Sequence, residues 1–209
     1  MNIAIIPARG GSKRIPRKNI KDFCGKPIIA YSIETALESG LFDKVIISTD
    51  DEEIAEIARK YGAEVPFMRP KELADDYTGT TAVAKHAIEW YLEHGVKFEY
   101  ACLIYATAPL LKSNFLIDGF EKIKRHTCSR VFSAVRFSSP PQRALKENNE
   151  GFITMMYPNE YTRTQDLEQL FHDAGQFYWG NKEAFTSKES FFGNSTMYIE
   201  IPKLLAIDI

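Results

Sequence analysis

Six cationic side chains and no acidic one fall between Met1 and Lys21: Arg9, Lys13, Arg14, Arg17, Lys18 and Lys21. The whole chain carries a formal charge of −2, so this concentration is local. Two glycines stand inside it. Gly10 and Gly11 have no Cβ, and backbone there can turn N–H groups toward an anion and let it come close. Ahead of them Ile3–Ile6 is a short apolar run that fits a strand buried on both faces, broken at Pro7. A buried strand running into a Gly-rich, cationic loop is a place to hold phosphates. Spacing excludes two familiar phosphate loops. Counted from Gly10, the Walker pattern needs its second glycine where Ile15 stands, and the dinucleotide fingerprint fails at Ser12 and Ile15.

The rest of the chain must position this loop. Pro27–Gly40 reads as a helix, with Ile29, Ile33, Ala36 and Leu37 on one face and Gly40 just past its end. Lys44–Thr49 is a second buried strand, Glu52–Tyr61 a helix, and Glu64–Phe67 a short third strand. Asp50 and Asp51 could hold a metal, but a pair of acids at a helix start is more often a cap with a dipole partner, and capping is the reading preferred. Thr80–Gly95 is helical by pattern, Tyr100–Tyr105 is the most apolar strand, Ser113–His126 is a helix capped by Ser113, and Arg130–Phe137 alternates as a strand. Thr196–Ile201 and Leu204–Ile209 read as two more. The strand–helix rhythm predicts an α/β, Rossmann-like, mainly parallel sheet with helices on both faces. Ligands in such sheets sit beyond the carboxyl ends of the strands, where the Gly10–Lys18 loop would lie.

One domain over 1–209 is expected, interrupted at 138–180 by an excursion rich in aromatics between polar groups, either a lid or an arm that binds a second subunit. Within it His172-Asp173-Ala174-Gly175-Gln176-Phe177-Tyr178-Trp179-Gly180 mixes hydrogen-bonding, small and aromatic residues. That mix suits a sugar pocket; the alternative is a core strand with incidental polar groups. His86 and His94 are expected at the surface.

The near-neutral balance argues against a nucleic-acid or membrane-surface partner. No apolar run approaches the roughly 20 residues that span a bilayer, and Met1 leads straight into a strand without the regions of a signal peptide. Cys24, Cys102 and Cys128 are odd in number and far apart, which points to neither a disulfide framework nor a zinc site. A reduced, cytoplasmic protein is expected.

The string P-A-R-G-G-S-K-R-I-P-R-K-N at 7–19, followed by G-K-P-I-I-A-Y-S-I at 25–33, resembles the sugar nucleotidyltransferases, and among them the cytidylyltransferases that activate nonulosonic (sialic-type) acids. Sialic acid members tend to read Gln-Pro-Thr-Ser-Pro where this chain has Y-A-T-A-P at 105–109, and a phenol cannot reproduce an amide's paired donor and acceptor. Together with H-D-A-G-Q-F-Y-W-G at 172–180, this is similar to the branch acting on pseudaminic acid. The resemblance implies a nucleotide-diphospho-sugar transferase fold with a dimerisation arm, a homodimer, and a reaction of CTP with a nonulosonic acid to give a CMP-sugar and pyrophosphate. It implies nucleotide contacts at Ala8, Arg9, Gly10, Gly11, Ser12, Lys13, Asn19, Arg69 and Thr81, with Thr80 an alternative to Thr81, and catalytic roles for Lys18 and Arg9. Sugar contacts fall to Tyr105, Thr107, Asp173, Gln176 and Tyr178, and Arg143 or Arg163 would take the sugar's carboxylate. Asp208 matches the first acid of an Asp-Ile-Asp pair that holds Mg²⁺; the second would follow Ile209, where this sequence stops. Competing readings are a CMP-sialic or CMP-legionaminic acid synthetase and, because of that second acid, a non-catalytic nucleotide-binding protein.

Overall fold

A computed structural model describes residues 1–157, 162–187, 190–207 and 209. β1 (Asn2–Pro7) leads through the basic loop into a small hairpin of β2 (Asp22–Phe23) and β3 (Lys26–Pro27). Its turn residues Cys24 (φ 52°) and Gly25 (φ 92°) are both left-handed, as a two-residue hairpin turn with the native twist requires. The chain continues through α1 (Ile28–Glu38), β4 (Lys44–Ser48), α2 (Glu52–Lys60), α3 (Thr80–Glu93), β5 (Tyr100–Ile104), α4 (Ser113–Arg125) and β6 (Arg130–Arg136). A second hairpin, β7 (Leu145–Glu147) and β8 (Ile153–Met155), precedes β9 (Phe171–Asn181), α5 (Lys182–Thr186) and β10 (Thr196–Glu200).

Six strands form the central sheet in the order β10-β6-β9-β5-β1-β4. β1 pairs in parallel with β4 and β5, and β6 with β10; β9 alone runs antiparallel, between β5 and β6. The sheet is therefore mainly parallel, as predicted. Alternating side chains go to opposite faces of a strand, and here both faces are covered. Ala4 and Ile6 of β1, with Cys102 and Ile104 of β5, pack under Ile29, Ile33, Ile54 and Leu116 from α1, α2 and α4. Ile3, Ile5, Ala101 and Leu103 pack on the other side against Ala84, Ala87 and Ile88 of α3 and Phe185 of α5. Two-sided burial is why β1 reads as an unbroken apolar run.

Local signals hold at α2. Asp51 is its N-cap, accepting from Ile54 N at 3.0 Å, with Glu52 and Glu53 in the first turn and Arg59 and Lys60 in the last.

Several boundaries differ from expectation. Glu64–Phe67 is not a strand; only single parallel bridges, Ile46 to Glu64 and Thr49 to Met68, extend the sheet past β4. The strand expected over Leu204–Ile209 is not found among its described residues either, since Lys203–Leu205 closes a 3₁₀ turn. Ser113 does not cap α4: Lys112 holds that position, and no side chain bonds the helix end. Residues 171–180, grouped with the 138–180 excursion, return to the main sheet as β9, so β7 and β8 pair only with each other outside it.

α4 lies close on β9. A Cβ at Gly119 would stand 2.9 Å from Trp179 Cδ1 and 3.0 Å from Phe177 Cε2. Trp179 is fully buried, and its indole N–H donates to Leu116 O at 3.1 Å. Alanine gains about 1 kcal/mol over glycine in a helix, whereas overpacking a core costs about 1–3 kcal/mol. Because the neighbours are locked rings rather than flexible chain ends, overpacking wins. Gly119→Ala is therefore expected to lower the urea midpoint by an amount equivalent to about 1 kcal/mol, and an unchanged midpoint would show that α4 can shift.

Candidate active site

The winding of the chain reverses at β1, which connects to β4 on one side and lies beside β5 on the other. A crevice forms at such a switch point. Here it is a cleft of about 190 Å³. Pro7, Arg9, Lys18 and Asn19 line it after β1, Arg69 after β4, and Tyr105, Ala106 and Thr107 after β5; Thr78, Thr80 and Val83 close it from the start of α3. Hydroxyls on α1 fix the β5 side, Ser32 Oγ donating to Tyr105 O (2.8 Å) and Thr35 Oγ1 to Leu111 O (3.2 Å).

The basic loop is held by acids. Gly10 N donates to Asp50 Oδ1 at 2.9 Å, and a Cβ at Gly10 would meet Asp51 Oδ2 at 2.7 Å, so only glycine fits there. Ser12 N donates to Gly10 O and Ala8 N to Ser48 O; among the described residues the Gly11 amide alone of the candidates Ala8, Gly10, Gly11 and Ser12 is open to a ligand. Arg17 takes a left-handed φ of 55°, which costs about 1–2 kcal/mol for a residue with a Cβ. Its guanidinium grips Asp51 and Glu53, and this hydrogen bonding from Arg17 holds the Asp51 carboxyl below its usual range. The turn at Arg17 starts the 3₁₀ segment Lys18–Ile20 and places Lys18 in the cleft, where Nζ donates to Ile209 O at 2.7 Å. Asn19 is buried and donates from Nδ2 to Arg9 O at 2.9 Å.

Arg9 and Lys13 share one counter-charge. Arg9 Nη1 reaches both Asp75 O and Asp76 Oδ1 at 2.7 Å, and Lys13 pairs with the other oxygen of Asp76. Asp75 fixes this turn by accepting from Tyr77 N (3.0 Å) and Thr78 N (2.6 Å). Lys13 itself is exposed and does not line the cleft. Arg69 is different. It is 5% exposed, and among the described residues its guanidinium donates only to Ser48, from Nε to Oγ at 3.1 Å and from Nη2 to the carbonyl. Burial pulls its pKa down to about 10, opposed by the charge of Asp50, so at neutral pH it remains a buried cation facing the cleft.

A second chamber, about 120 Å³, adjoins the cleft through Thr80 and Tyr105. Its polar end is a chain: Tyr178 Oη donates to Asp173 Oδ2 (2.6 Å), and Tyr105 Oη lies 3.5 Å from Thr80 Oγ1. Its walls are Leu103, Phe185, Phe191 and Phe192, with Thr81 at the rim. Burial first, then Tyr105 and Asp173, pushes the Tyr178 phenol far up, so it stays a donor.

An irregularity in β9 sorts the 172–180 side chains. Between Phe132 and Ala134 of β6 the facing partners jump from Tyr178 to Asp173, with Gly175 at φ 63° and Ser133 Oγ accepting from both Gln176 N and Phe177 N. Such bulges re-aim side chains beside sites. Asp173 and Tyr178 reach the chamber, but Gln176 does not. It is 1% exposed, donates from Nε2 to Leu205 O, and lines a separate small cavity with Phe23 and Ala108. Nor do the two arginines come to the cleft: Arg143 donates to Thr162 O and Arg163 pairs with Asp166 at 2.7 Å. Thr107 lines the cleft rather than the chamber. Asp208 lies outside the described residues, among which no group of three His, Cys, Asp or Glu side chains gathers. Sequence reasoning passed over Ser48, Asp76 and the Phe185, Phe191 and Phe192 wall; only Ser48, closing a buried strand at its carboxyl end, carried a local signal.

Residues 3–202 match the family model described as cytidylyltransferase. The chain belongs to that family. The chain is 47% identical over its whole length to a pseudaminic acid cytidylyltransferase of Campylobacter jejuni, of which the alignment covers 90%. It is 34% identical to an N-acylneuraminate cytidylyltransferase of Escherichia coli over 99% of this chain and 48% of that protein. Its fold superposes on a CMP:2-keto-3-deoxy-manno-octonic acid synthetase solved with CTP, with a TM-score of 0.71 at 18% identity over 96% of this chain and 89% of the other.

In this cytidylyltransferase fold Asp76 is an internal anion on two cations of the loop. An exposed pair of this kind is worth about 0–1 kcal/mol and is screened by salt. Asp76→Asn should therefore tighten binding of inorganic tripolyphosphate by up to about fivefold at low salt, the gap closing at high salt. Titration calorimetry reads this directly; weaker binding would mean that Asp76 orients Arg9 instead of competing for it.

Proposed function

We propose that this chain transfers CMP from CTP to a nonulosonic acid, pseudaminic acid first among them, releasing pyrophosphate. The observation that carries the reading is the meeting of two unlike spaces at one switch point. Arg9, Lys18 and Arg69 surround a cleft beside a chamber of aromatic rings with an Asp173–Tyr178 pair. The cleft suits a triphosphate and the chamber a sugar carrying acylamino groups, methyls on the rings and polar hydrogens toward Asp173. The relatives named above are cytidylyltransferases of pseudaminic and N-acylneuraminic acids, in keeping with this division.

The anomeric hydroxyl of the sugar attacks the α-phosphorus in line with the departing pyrophosphate. The P–O bond to the β-phosphate breaks, a bond to the sugar oxygen forms, and the hydroxyl proton is lost to solvent. Little covalent work falls to the protein; alignment and charge neutralisation do. Lys18 stands for the α-phosphoryl charge, Arg9 for the leaving phosphates, and the Gly11 amide for a further oxygen. Buried Arg69 and Thr80 at the helix start hold the nucleoside end, while Thr81 lies at the chamber's rim. Mg²⁺ is the divalent ion this reading assigns to the triphosphate. Because Asp208 lies outside the described residues and these gather no metal cluster, no step here runs through it. Among the described residues no helix is long and apolar enough to cross a membrane, and a cytoplasmic biosynthetic role is part of the proposal.

A homodimer completes it. The β7–β8 hairpin exposes Leu145, Phe152, Ile153, Met156 and Tyr157, each at least half accessible. Large apolar side chains left exposed together on one hairpin point to an interaction site. In a dimer the excursion would carry Arg143 and Arg163 toward the partner's chamber.

The decisive assay is pyrophosphate release from CTP and Mg²⁺ with a panel of nonulosonic acids; CTP binding without turnover of any of them would leave only a nucleotide-binding protein. Lys18→Ala should lower kcat about 100-fold or more, as for loss of a preorganised charge at the transition state, and unchanged turnover removes its role. By light scattering the chain should run as a dimer at micromolar concentration, and Ile153→Asp as a monomer; a monomeric wild type ends the dimer proposal.

A further inference from the structure

The aromatic wall of the chamber is pinned by a cation that does not line it. Arg130 opens β6 and is 2% exposed. Its Nη1 donates to Ser195 Oγ (3.2 Å), and its Nη2 to Ser187 Oγ (3.2 Å) and to Ala184 O (3.4 Å). Ser195 Oγ also lies 3.0 Å from Ser129 Oγ, next to Arg130 in the chain. One guanidinium is thus tied to both ends of the 184–195 segment. Between those ends its Cζ stands over the Phe191 ring, 5.7 Å from the centroid. Phe191 passes the contact on: its ring meets Tyr178 edge-on at 5.5 Å and lies 5.8 Å from Phe185 and 5.9 Å from Phe192.

A planar fork of donors can hold several acceptors at fixed angles, which a single ammonium cannot. A buried cation also demands such partners, because burying it without them is strongly unfavourable. With Ala184, Ser187 and Ser195 bonded to the two Nη atoms of Arg130, Phe191 and Phe192 face the chamber. Ordering these rings before a ligand arrives removes an entropy cost that binding would otherwise bear.

We propose that Arg130 is a positioning residue for the sugar half of the reaction. It fixes Ala184, Ser187, Phe191 and Ser195 so that Phe191 and Phe192 form a ready-made wall, and so sets the affinity for the acid substrate without touching it. The CTP cleft shares no wall with this segment. This inference rests on the assignment of the chamber to the sugar.

The test is steady-state kinetics on the full chain with the two substrates varied separately. Arg130→Met should raise the sugar KM about tenfold or more, the size of effect a few misplaced pocket contacts produce. The CTP KM and the kcat at saturating sugar should stay within about twofold. Arg130→Lys, which keeps charge but not the fork, should fall between. If the methionine variant does not fold, Ser195→Ala and Ser187→Ala each remove one acceptor and should raise the sugar KM alone by about two- to fivefold. An unchanged sugar KM in a wild-type-like background overturns the inference, as does a parallel loss in both KM values and kcat. A wild-type chain that turns over no nonulosonic acid overturns the proposed function, and this inference with it.

Discussion

Positive charge gathered in one place must be balanced whether or not a ligand is present. That constraint shapes the carboxyl end of the sheet. Arg17 is matched by Asp51 and Glu53, and Arg9 with Lys13 by Asp76; Arg69 lies in the field of Asp50. Each acid comes from another part of the chain, so the loop's conformation is a property of the whole end of the sheet. The same pairs tune the site. Pairs at the surface are weak and can be exchanged for phosphate oxygens, while Arg69, its desolvated guanidinium bonded to Ser48, keeps its charge directed into the cleft.

The scaffold supports this by being buried on both faces. β1 and β5 send alternate residues into two separate cores, which leaves their ends, and little else, for chemistry. β9 is the exception in direction and in regularity. Running antiparallel between β5 and β6, it brings Asp173 and Tyr178 beside Tyr105, and its bulge sends Gln176 to the opposite face. One strand therefore serves the chamber on one side and anchors the Leu205 turn on the other.

Cleft and chamber divide the work between charge and shape. The cleft is built of cations, amides and hydroxyls, and the chamber of rings ended by one hydrogen-bonded pair. Tyr105 and Thr80 belong to both, so they stand at the boundary where a nucleotide's phosphate and a sugar's oxygen would meet. In the reaction proposed for this chain, that boundary is where the new phosphorus–oxygen bond would form.

Much of this was legible in the residues alone. The apolar run of β1, the amphipathic helices, the Asp51 cap and the basic Gly-rich loop are local patterns, decided by neighbours a few positions away, and the structure reproduces them. Where local pattern misled, a distant partner was the reason. Glu64–Phe67 and Leu204–Ile209 have strand-like composition, but a strand exists only where another offers its hydrogen bonds, and there the sheet offers single bridges or none among the described residues. Gln176 reads as a sugar ligand because polar and aromatic residues surround it in sequence; a bulge, invisible in composition, turns it inward. The burial of Arg69, the Asp76 counter-charge and the hold of Arg130 on the aromatic wall join residues dozens of positions apart. Short-range periodicity and turn chemistry are written in the order of residues, whereas burial and charge pairing arise only when the chain closes on itself.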